Sequence, residues 1–223
     1  MRRNRCRERG FTLVEALVAV GVILLQIALL MPALGRARIE VRALRCLHNL
    51  RQWGVATSAY VMDHEDRLPP EGAPNPGEND TRTGWYIQLP PEIGLAPYHR
   101  MTWRTNAEVA PGSSTWLCPA NPRRSNGRNL FHYCLNQEVD GAGVDDAPVR
   151  WSALREPARL VWLFDSRNLP AVGTWRFVAG RLHGTGAQFL FLDGHAARVR
   201  ADETRDKGGR RIPPGDGALR WRP

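Results

Sequence analysis

Residues 11–34 read FTLVEALVAVGVILLQIALLMPAL, an apolar run of 24 residues. As an α-helix, a segment of this length extends about 36 Å at 1.5 Å per residue. The hydrocarbon core of a bilayer is about 30 Å thick, so the segment can cross it with some tilt. The run therefore predicts one N-terminal transmembrane helix, with a short leader before it and the bulk of the chain after it.

The leader, residues 1–10, reads MRRNRCRERG and contains five arginines and one glutamate. Arginines also follow the run, at positions 36, 38 and 42, but less densely. The positive-inside rule therefore predicts a cytoplasmic N-terminus, with the body of the chain on the other side. The net charge is +9, of which the leader supplies 5 − 1 = +4. Because the remaining +5 is scattered, we expect no nucleic-acid partner.

Two residues within the run do not suit a simple lipid anchor. Glu15 would cost roughly 2.5–3.5 kcal/mol at a bilayer centre, and Pro32 removes a helix hydrogen bond, which predicts a kink or loosening there. Cleavage between Gly10 and Phe11 would remove the leader and create an amine at Phe11, one helical turn from Glu15. The amine of a neighbouring copy would make a buried Glu15 tolerable. The alternative is that Glu15 snorkels to the lipid headgroups.

The sequence G-FTLVEALVAV, with its basic leader, Gly10, Phe11 and Glu15, resembles the N-terminus of type IV prepilins and of type II secretion pseudopilins. The resemblance implies cleavage after Gly10 by a prepilin peptidase, N-methylation of Phe11, and assembly with other pilin-like subunits through the helix. Pro32 falls where the pilin helix commonly carries a proline. The resemblance also implies a single-pass protein of the bacterial inner membrane, with its head on the periplasmic or outer side and a place in a cell-envelope filament.

After the membrane segment, residues 35–65 continue as a helix of a different kind, in which apolar residues recur every three or four positions. The loop 66–84 ends it, and residues 66–201 are expected to form a globular α+β head. Its antiparallel sheet would cover the helix, as in pilins. Residues 202–223, rich in Gly, Pro and Arg, predict an irregular tail. Strands are expected at 115–117, 131–135, 159–165, 174–178, and on both sides of Asp193-Gly194, where a two-residue turn is predicted.

Asp193 and His195 at this turn, with His183 just before it and Asp165 in an earlier strand, could in principle form a metal shell, calcium included. The favoured interpretation is structural, because an Asp-Gly turn and histidines at strand ends explain these residues. The sequence contains no GxSxG, HExxH or phosphate-loop motif. We therefore expect no enzyme activity and no cofactor, with calcium as the alternative.

The stretch RLHGTGAQFLFLDGH, residues 181–195, contains His183, nine residues and then Asp193-Gly194. It resembles the H-X9-DG element of a large, DUF1559-like set of prepilin-type bacterial proteins. Further elements of that set are similar to segments of this chain: CLHNLRQ from Cys46, Cys118-Pro119, Tyr133 to Asn136, and Pro157 to Asp165.

The four cysteines are Cys6, Cys46, Cys118 and Cys134. They form no CxxC pair and have no histidines at zinc-finger spacing, so a structural zinc site is not predicted. If the body lies outside the cytoplasm, disulfides are permitted, and a Cys46–Cys118 bridge would pin the amphipathic helix to the sheet. The alternative is that Cys46 is only a small buried apolar residue.

These features favour a pilin-like or pseudopilin-like structural subunit of a type II secretion or type IV pilus-like assembly. The alternative is a singly membrane-anchored envelope binding protein that does not polymerise. A membrane-tethered metal hydrolase is the least favoured hypothesis.

Overall fold

The computed structural model describes residues 12–73, 76, 83–104, 114–123, 130–139, 149–167, 170–184, 186–200 and 219–223. The predicted leader, the cleavage site at Gly10-Phe11 and most of the predicted tail lie outside these ranges. The chain divides into two compact units, one extending to Glu40 and the other beginning at Val41.

Helix α1 extends from Leu13 to Asp63 and is the one helix among the described residues that is long and apolar enough to cross a membrane. None of the residues in its most apolar part is buried within the protein. The helix continues through Pro32.

From Val41 onward, α1 belongs to the second unit and has a buried stripe. The stripe repeats every three or four residues, which places one helix face against a protein core. Its members are Ala43, Cys46, Leu50, Trp53, Gly54, Ala56, Thr57 and Tyr60. Two further contacts hold this face: the Trp162 indole donates to Thr57 Oγ1 at 2.9 Å, and Gln188 Nε2 donates to the Ala43 carbonyl at 2.7 Å.

A five-stranded sheet packs on this stripe and confirms the predicted α+β fold. The strands are β1 (Tyr133–Asn136), β2 (Val161–Asp165), β3 (Val172–Gly173), β4 (Gly186–Phe191) and β5 (Ala196–Arg200), in the spatial order β3-β1-β2-β4-β5. All neighbouring pairs are antiparallel except β1 and β3, which are parallel.

The hairpin predicted at the Asp-Gly pair is present, but its loop has three residues, not two. Leu190 pairs with Ala196, and the Phe191 N–H donates to the His195 carbonyl at 2.9 Å. Gly194 has φ 89° and Asp193 has no positive φ. A type I turn followed by one left-handed glycine satisfies this geometry, whereas a two-residue type I′ turn needs two positive φ angles.

Helix α1 passes very close to this hairpin at Gly54. A Cβ on Gly54 would lie 2.9 Å from Leu190 Cδ1 and 3.0 Å from the Gly194 carbonyl oxygen. Both distances are shorter than a carbon can normally approach, so the absence of a side chain at Gly54 sets the spacing between helix and sheet.

Two predicted strands are wrong. Residues 115–117 form a turn, in which the Leu117 N–H donates to the Ser114 carbonyl at 3.1 Å and Trp116 enters the aromatic core. In the segment 174–178, Trp175–Phe177 forms a 3₁₀ turn. The remaining helical elements are α2 (Trp85–Glu92) and 3₁₀ turns at Tyr98–Arg100, Thr102–Arg104 and Trp151–Ala153.

The sheet is buried on both faces, which explains why every residue of β2 and β4 is buried. The face opposite α1 is covered by residues 219–223, whose Trp221 packs edge-on against Phe164 at 5.3 Å between ring centroids. The Val161 N–H donates to the Arg220 carbonyl at 2.9 Å. The end of the predicted irregular tail is therefore part of the core, while residues 202–218 lie outside the described ranges.

Candidate functional site

The first candidate site is the start of α1. Thr12 N–H and Thr12 Oγ1 each lie 2.8 Å from Glu15 Oε2, and the Glu15 N–H is 3.3 Å from Thr12 Oγ1. This reciprocal arrangement is a capping box, which satisfies backbone donors at a helix N-terminus. Glu15 is therefore held in a defined position at the beginning of the apolar segment. Pro32 lies within the same helix, and Gly10 and Phe11 precede the described residues.

The second candidate site lies in the interior of the second unit. The structure contains a disulfide between Cys46 and Cys118, with both residues fully buried. Cys46 belongs to the buried stripe of α1, so the bridge joins this helix to the segment that precedes β1. It closes a loop with a sequence separation of 72 residues.

Asp165 and His183 lie beside this disulfide. His183 Nε2 is 2.8 Å from Asp165 Oδ2 and 3.5 Å from Cys118 Sγ, and both side chains of the Asp-His pair are inaccessible to solvent. Asp165 Oδ2 also accepts the Gln188 N–H at 3.1 Å. Burial raises the pKa of the Asp165 carboxyl, and the hydrogen bonds from His183 and the Gln188 backbone oppose this effect without cancelling it.

Asp193 and His195 form a separate pair at the hairpin turn. Asp193 Oδ1 lies 2.6 Å from His195 Nδ1 and accepts the His195 N–H at 3.1 Å. The His195 ring stacks on Phe191, with 4.2 Å between centroids. Both side chains are at least partly exposed, unlike those of the first pair.

The structure therefore divides the four predicted metal ligands into two pairs. Asp165 and His183 lie where β4 begins, and Asp193 and His195 follow its last residue. A six-residue strand extends about 20 Å, too far for four ligands of one ion. In the described part of the chain, the group with metal-binding spacing is instead Cys46, Cys118 and His183, whose ligand atoms all lie within 4.8 Å of one another.

Sequence reasoning missed this group because its members are far apart in the chain and no zinc-finger spacing relates them. The available signal was that each member lies in one of the segments that resemble the prepilin-type set. Two asparagines of those segments form hydrogen bonds that link separate parts of the second unit. Asn49 Nδ2 donates to the Leu117 carbonyl at 2.9 Å, and Asn136 Nδ2 donates to the carbonyls of Val161 and Trp221, each at 2.9 Å.

The remaining described cysteine, Cys134, is free and buried. Its side chain belongs to the sheet face covered by Trp221, away from the disulfide. Burial raises the pKa of the Cys134 thiol well above its ordinary value, so the thiol remains protonated and unreactive at neutral pH.

A surface cleft of about 460 Å³ is a third candidate, and no sequence pattern predicted it. Three arginines from distant segments line it: Arg123, Arg167 and Arg181. Guanidinium groups around one cleft favour ligands with carboxylate, sulfate or phosphate groups.

The family model for the prokaryotic N-terminal methylation motif matches residues 5–31. This range includes the predicted cleavage site, Glu15 and most of the apolar run. No curated protein and no solved structure matches the chain.

Proposed function

We propose that this chain, whose residues 5–31 form a prepilin-type N-terminal cleavage and methylation domain, is a pilin-like or pseudopilin-like structural subunit of a type II secretion or type IV pilus-like assembly. The motif implies processing by a prepilin peptidase and association with the membrane. In this proposal the mature chain is held in the bacterial inner membrane by α1, with its head on the periplasmic or outer side, and then joins other pilin-like subunits through that helix.

The observation that carries the proposal is the combination of this motif with a helix surface that has no apolar partner in the described structure. Large apolar side chains between Leu13 and Leu34 are about half exposed or more, from 49% at Val22 to 81% at Leu13. Such a surface requires lipid or other apolar helices. A subunit that assembles is surrounded first by lipid and then by the apolar helices of other subunits.

Glu15 can bind a second partner in such an assembly, because its capping box uses only one carboxylate oxygen. Among the residues that the structure describes, Oε2 accepts all hydrogen bonds to this carboxylate and Oε1 accepts none. Glu15 can therefore cap its own helix and, in this proposal, also pair with the Phe11 amine of a neighbouring copy. A cation beside a carboxylate in an apolar bundle removes the cost of leaving that charge unpaired.

We also propose that the head has no catalytic role. Three polar residues of the segments that resemble the prepilin-type set, Asn49, Asn136 and Asp165, are used in buried or partly buried hydrogen bonds that hold α1, the sheet and residues 219–223 together.

The test compares Glu15→Leu with Gln26→Leu, which also replaces a polar residue of the apolar segment by leucine. Two differently tagged copies are expressed together with the assembly machinery, and co-isolation is measured from membranes and from sheared extracellular material. We expect Glu15→Leu to insert into the membrane but to lose co-isolation, while Gln26→Leu retains it. Undiminished co-isolation of Glu15→Leu would contradict the proposal.

The arginine-lined cleft favours the second candidate, an anchored binding protein for an anionic ligand. The double variant Arg167→Ala/Arg181→Ala is compared with Arg51→Ala/Arg155→Ala, which has the same change of charge outside the cleft. If the binding function is correct, the first variant loses affinity for inorganic phosphate in calorimetric titrations and the second does not, and self-association of the wild type is undetectable.

A further inference from the structure

The interior of the second unit brings together four side chains with the chemistry of a zinc site. The ligand atoms of Cys46, Cys118 and His183 lie within 4.8 Å of one another. Asp165 Oδ2 is 2.8 Å from His183 Nε2, which places a carboxylate beside them. All four residues are buried, so these donors face one another and not solvent.

The disulfide is not the only connection that holds the donors in place. The Tyr133 hydroxyl lies 3.4 Å from the Cys46 carbonyl, within hydrogen-bonding distance, and the Cys118 N–H donates to His132 Nδ1 at 2.9 Å. On the other side, Asp165 is fixed by the Gln188 N–H. These bonds do not involve sulfur, so breaking the bridge does not remove them.

We propose that the reduced chain binds one zinc-like divalent cation through Cys46, Cys118, His183 and Asp165. Two thiolates, one imidazole and one carboxylate are a suitable tetrahedral donor set for zinc. With Zn–S bonds of about 2.3 Å at a tetrahedral angle, the two sulfurs would lie about 3.8 Å apart. The disulfide and the metal are therefore alternative states of one centre.

The change between the two states balances in electrons and protons. An external dithiol gives two electrons and two protons to the Cys46–Cys118 bond, which becomes two thiols, and the dithiol closes to its own cyclic disulfide. Binding of the cation then releases the two thiol protons, because the thiolate is the ligand.

His183 and Asp165 have the atoms that the second state needs. In the disulfide state, Nε2 of His183 faces Asp165, while His183 Nδ1 and Asp165 Oδ1 are buried without a hydrogen-bond partner among the described residues. In the metal state, Nε2 directs its lone pair at the cation and the ring proton resides on Nδ1. Because Nδ1 has no partner among the described residues, moving the ring proton there breaks no hydrogen bond.

The experiment uses the full chain in detergent in a Cys6→Ser background, which removes the thiol of the leader. The chain is reduced with dithiothreitol, freed of it by anaerobic gel filtration and titrated with Co²⁺, whose tetrahedral thiolate complexes absorb strongly in the red. We expect the reduced chain to bind one Co²⁺ that Zn²⁺ displaces, and the oxidised chain to bind none.

Matched variants locate the site. Cys118→Ser should abolish the cobalt spectrum and His183→Ala should weaken binding at least about 10-fold. Cys134→Ser and His195→Ala, which change the same residue types outside the cluster, should leave the cobalt spectrum and the affinity for cobalt unchanged. Absence of a spectrum in the reduced chain, or equal losses in Cys134→Ser and Cys118→Ser, would overturn the proposal.

A second measurement separates metal binding from a failure to fold. A ligand that binds only the folded state raises its thermal midpoint. Zn²⁺ should raise the midpoint of the reduced chain and leave that of the oxidised chain unchanged. Equal behaviour of the two forms would contradict the proposed site.

Discussion

Thr12 and Glu15 hold each other at the start of α1, where Thr12 N–H donates to Glu15 Oε2 at 2.8 Å and the Glu15 N–H is 3.3 Å from Thr12 Oγ1. The acid that sequence reasoning assigns to assembly is thus also a helix-capping residue. The two roles differ in what they require: the capping box needs a hydrogen-bond acceptor, whereas pairing with an amine needs a charge.

Two substitutions separate these roles. Glu15→Gln retains the capping box but has no charge, so we expect normal helix content and loss of co-isolation with wild-type copies. Thr12→Ala retains the carboxylate and removes the box, at about 1 kcal/mol for a lost N-cap, so co-isolation should persist. Circular dichroism in detergent and two-tag co-isolation provide the measurements. Normal co-isolation of Glu15→Gln would mean that capping alone explains Glu15.

The disulfide should be a major contributor to the stability of the head. Cys46→Ala/Cys118→Ala is expected to lower the free energy of unfolding by about 4 kcal/mol, because the bridge closes a loop with a separation of 72 residues. Urea unfolding of the full chain in detergent, followed by tryptophan fluorescence, measures this loss, since every tryptophan lies at or beyond position 53. Cys134→Ala is the control, with an expected loss of about 1 kcal/mol. Similar losses in both would argue against the bridge.

The two Asp-His pairs should differ strongly in their contribution to stability. Asp165→Ala removes the acceptor of His183 Nε2 and of the Gln188 N–H in a solvent-free interior. Its expected cost is about 3 kcal/mol. Asp193→Ala breaks the partly exposed pair with His195 and should cost at most about 1 kcal/mol. The same urea unfolding experiment measures the free energy of unfolding of both variants. Equal losses in Asp165→Ala and Asp193→Ala would contradict the difference in burial between the two pairs.

Gly54→Ala should destabilise the chain although alanine favours helices by about 1 kcal/mol over glycine. The added carbon would meet Leu190 and Gly194 at 2.9–3.0 Å, and overpacking of this kind costs about 1–3 kcal/mol. Gly180→Ala is a suitable control, because a Cβ there has nothing within 4 Å and should change stability by no more than about 0.5 kcal/mol. A more stable Gly54→Ala would show that helix and sheet can separate at this point.

Cys134 should resist alkylation at neutral pH as long as the chain is folded. Burial raises the pKa of its thiol, and the thiolate is the reactive form, so labelling should require unfolding or a much higher pH. Iodoacetamide treatment of the Cys6→Ser chain, followed by mass spectrometry, should add no label to the native form and one label in denaturant without reductant. A label on native Cys134 would contradict its burial.

The parts of the fold that could be predicted were those encoded locally. The apolar run, the three-and-four spacing of residues 41–60 and the Asp-Gly hairpin each occupy one continuous stretch. Segments 115–117 and 174–178 have strand-like composition, but turn hydrogen bonds determine their conformation. The hairpin loop differs from the expectation because Leu192 is buried and takes part in the turn.

The candidate site could likewise be predicted only where it depends on local sequence. The sequence offered Asp165, His183, Asp193 and His195 as one group, since all carry metal-binding side chains near one hairpin. Strand direction separates them, because Asp165 and His183 lie at one end of β4 and the other two lie beyond its opposite end. Cys118 joins His183 only through tertiary packing, which no local pattern reports.

Trp221 has a consequence for how the protein is made. The ring packs on the sheet against Phe164, and Asn136 donates to the Trp221 carbonyl, so the core includes residues near both position 43 and position 221. The head cannot complete its core until synthesis has reached Trp221, long after α1 has been made. Until then the sheet face that contains Phe164 lacks its cover, so the final packing of the head follows the synthesis of all five strands.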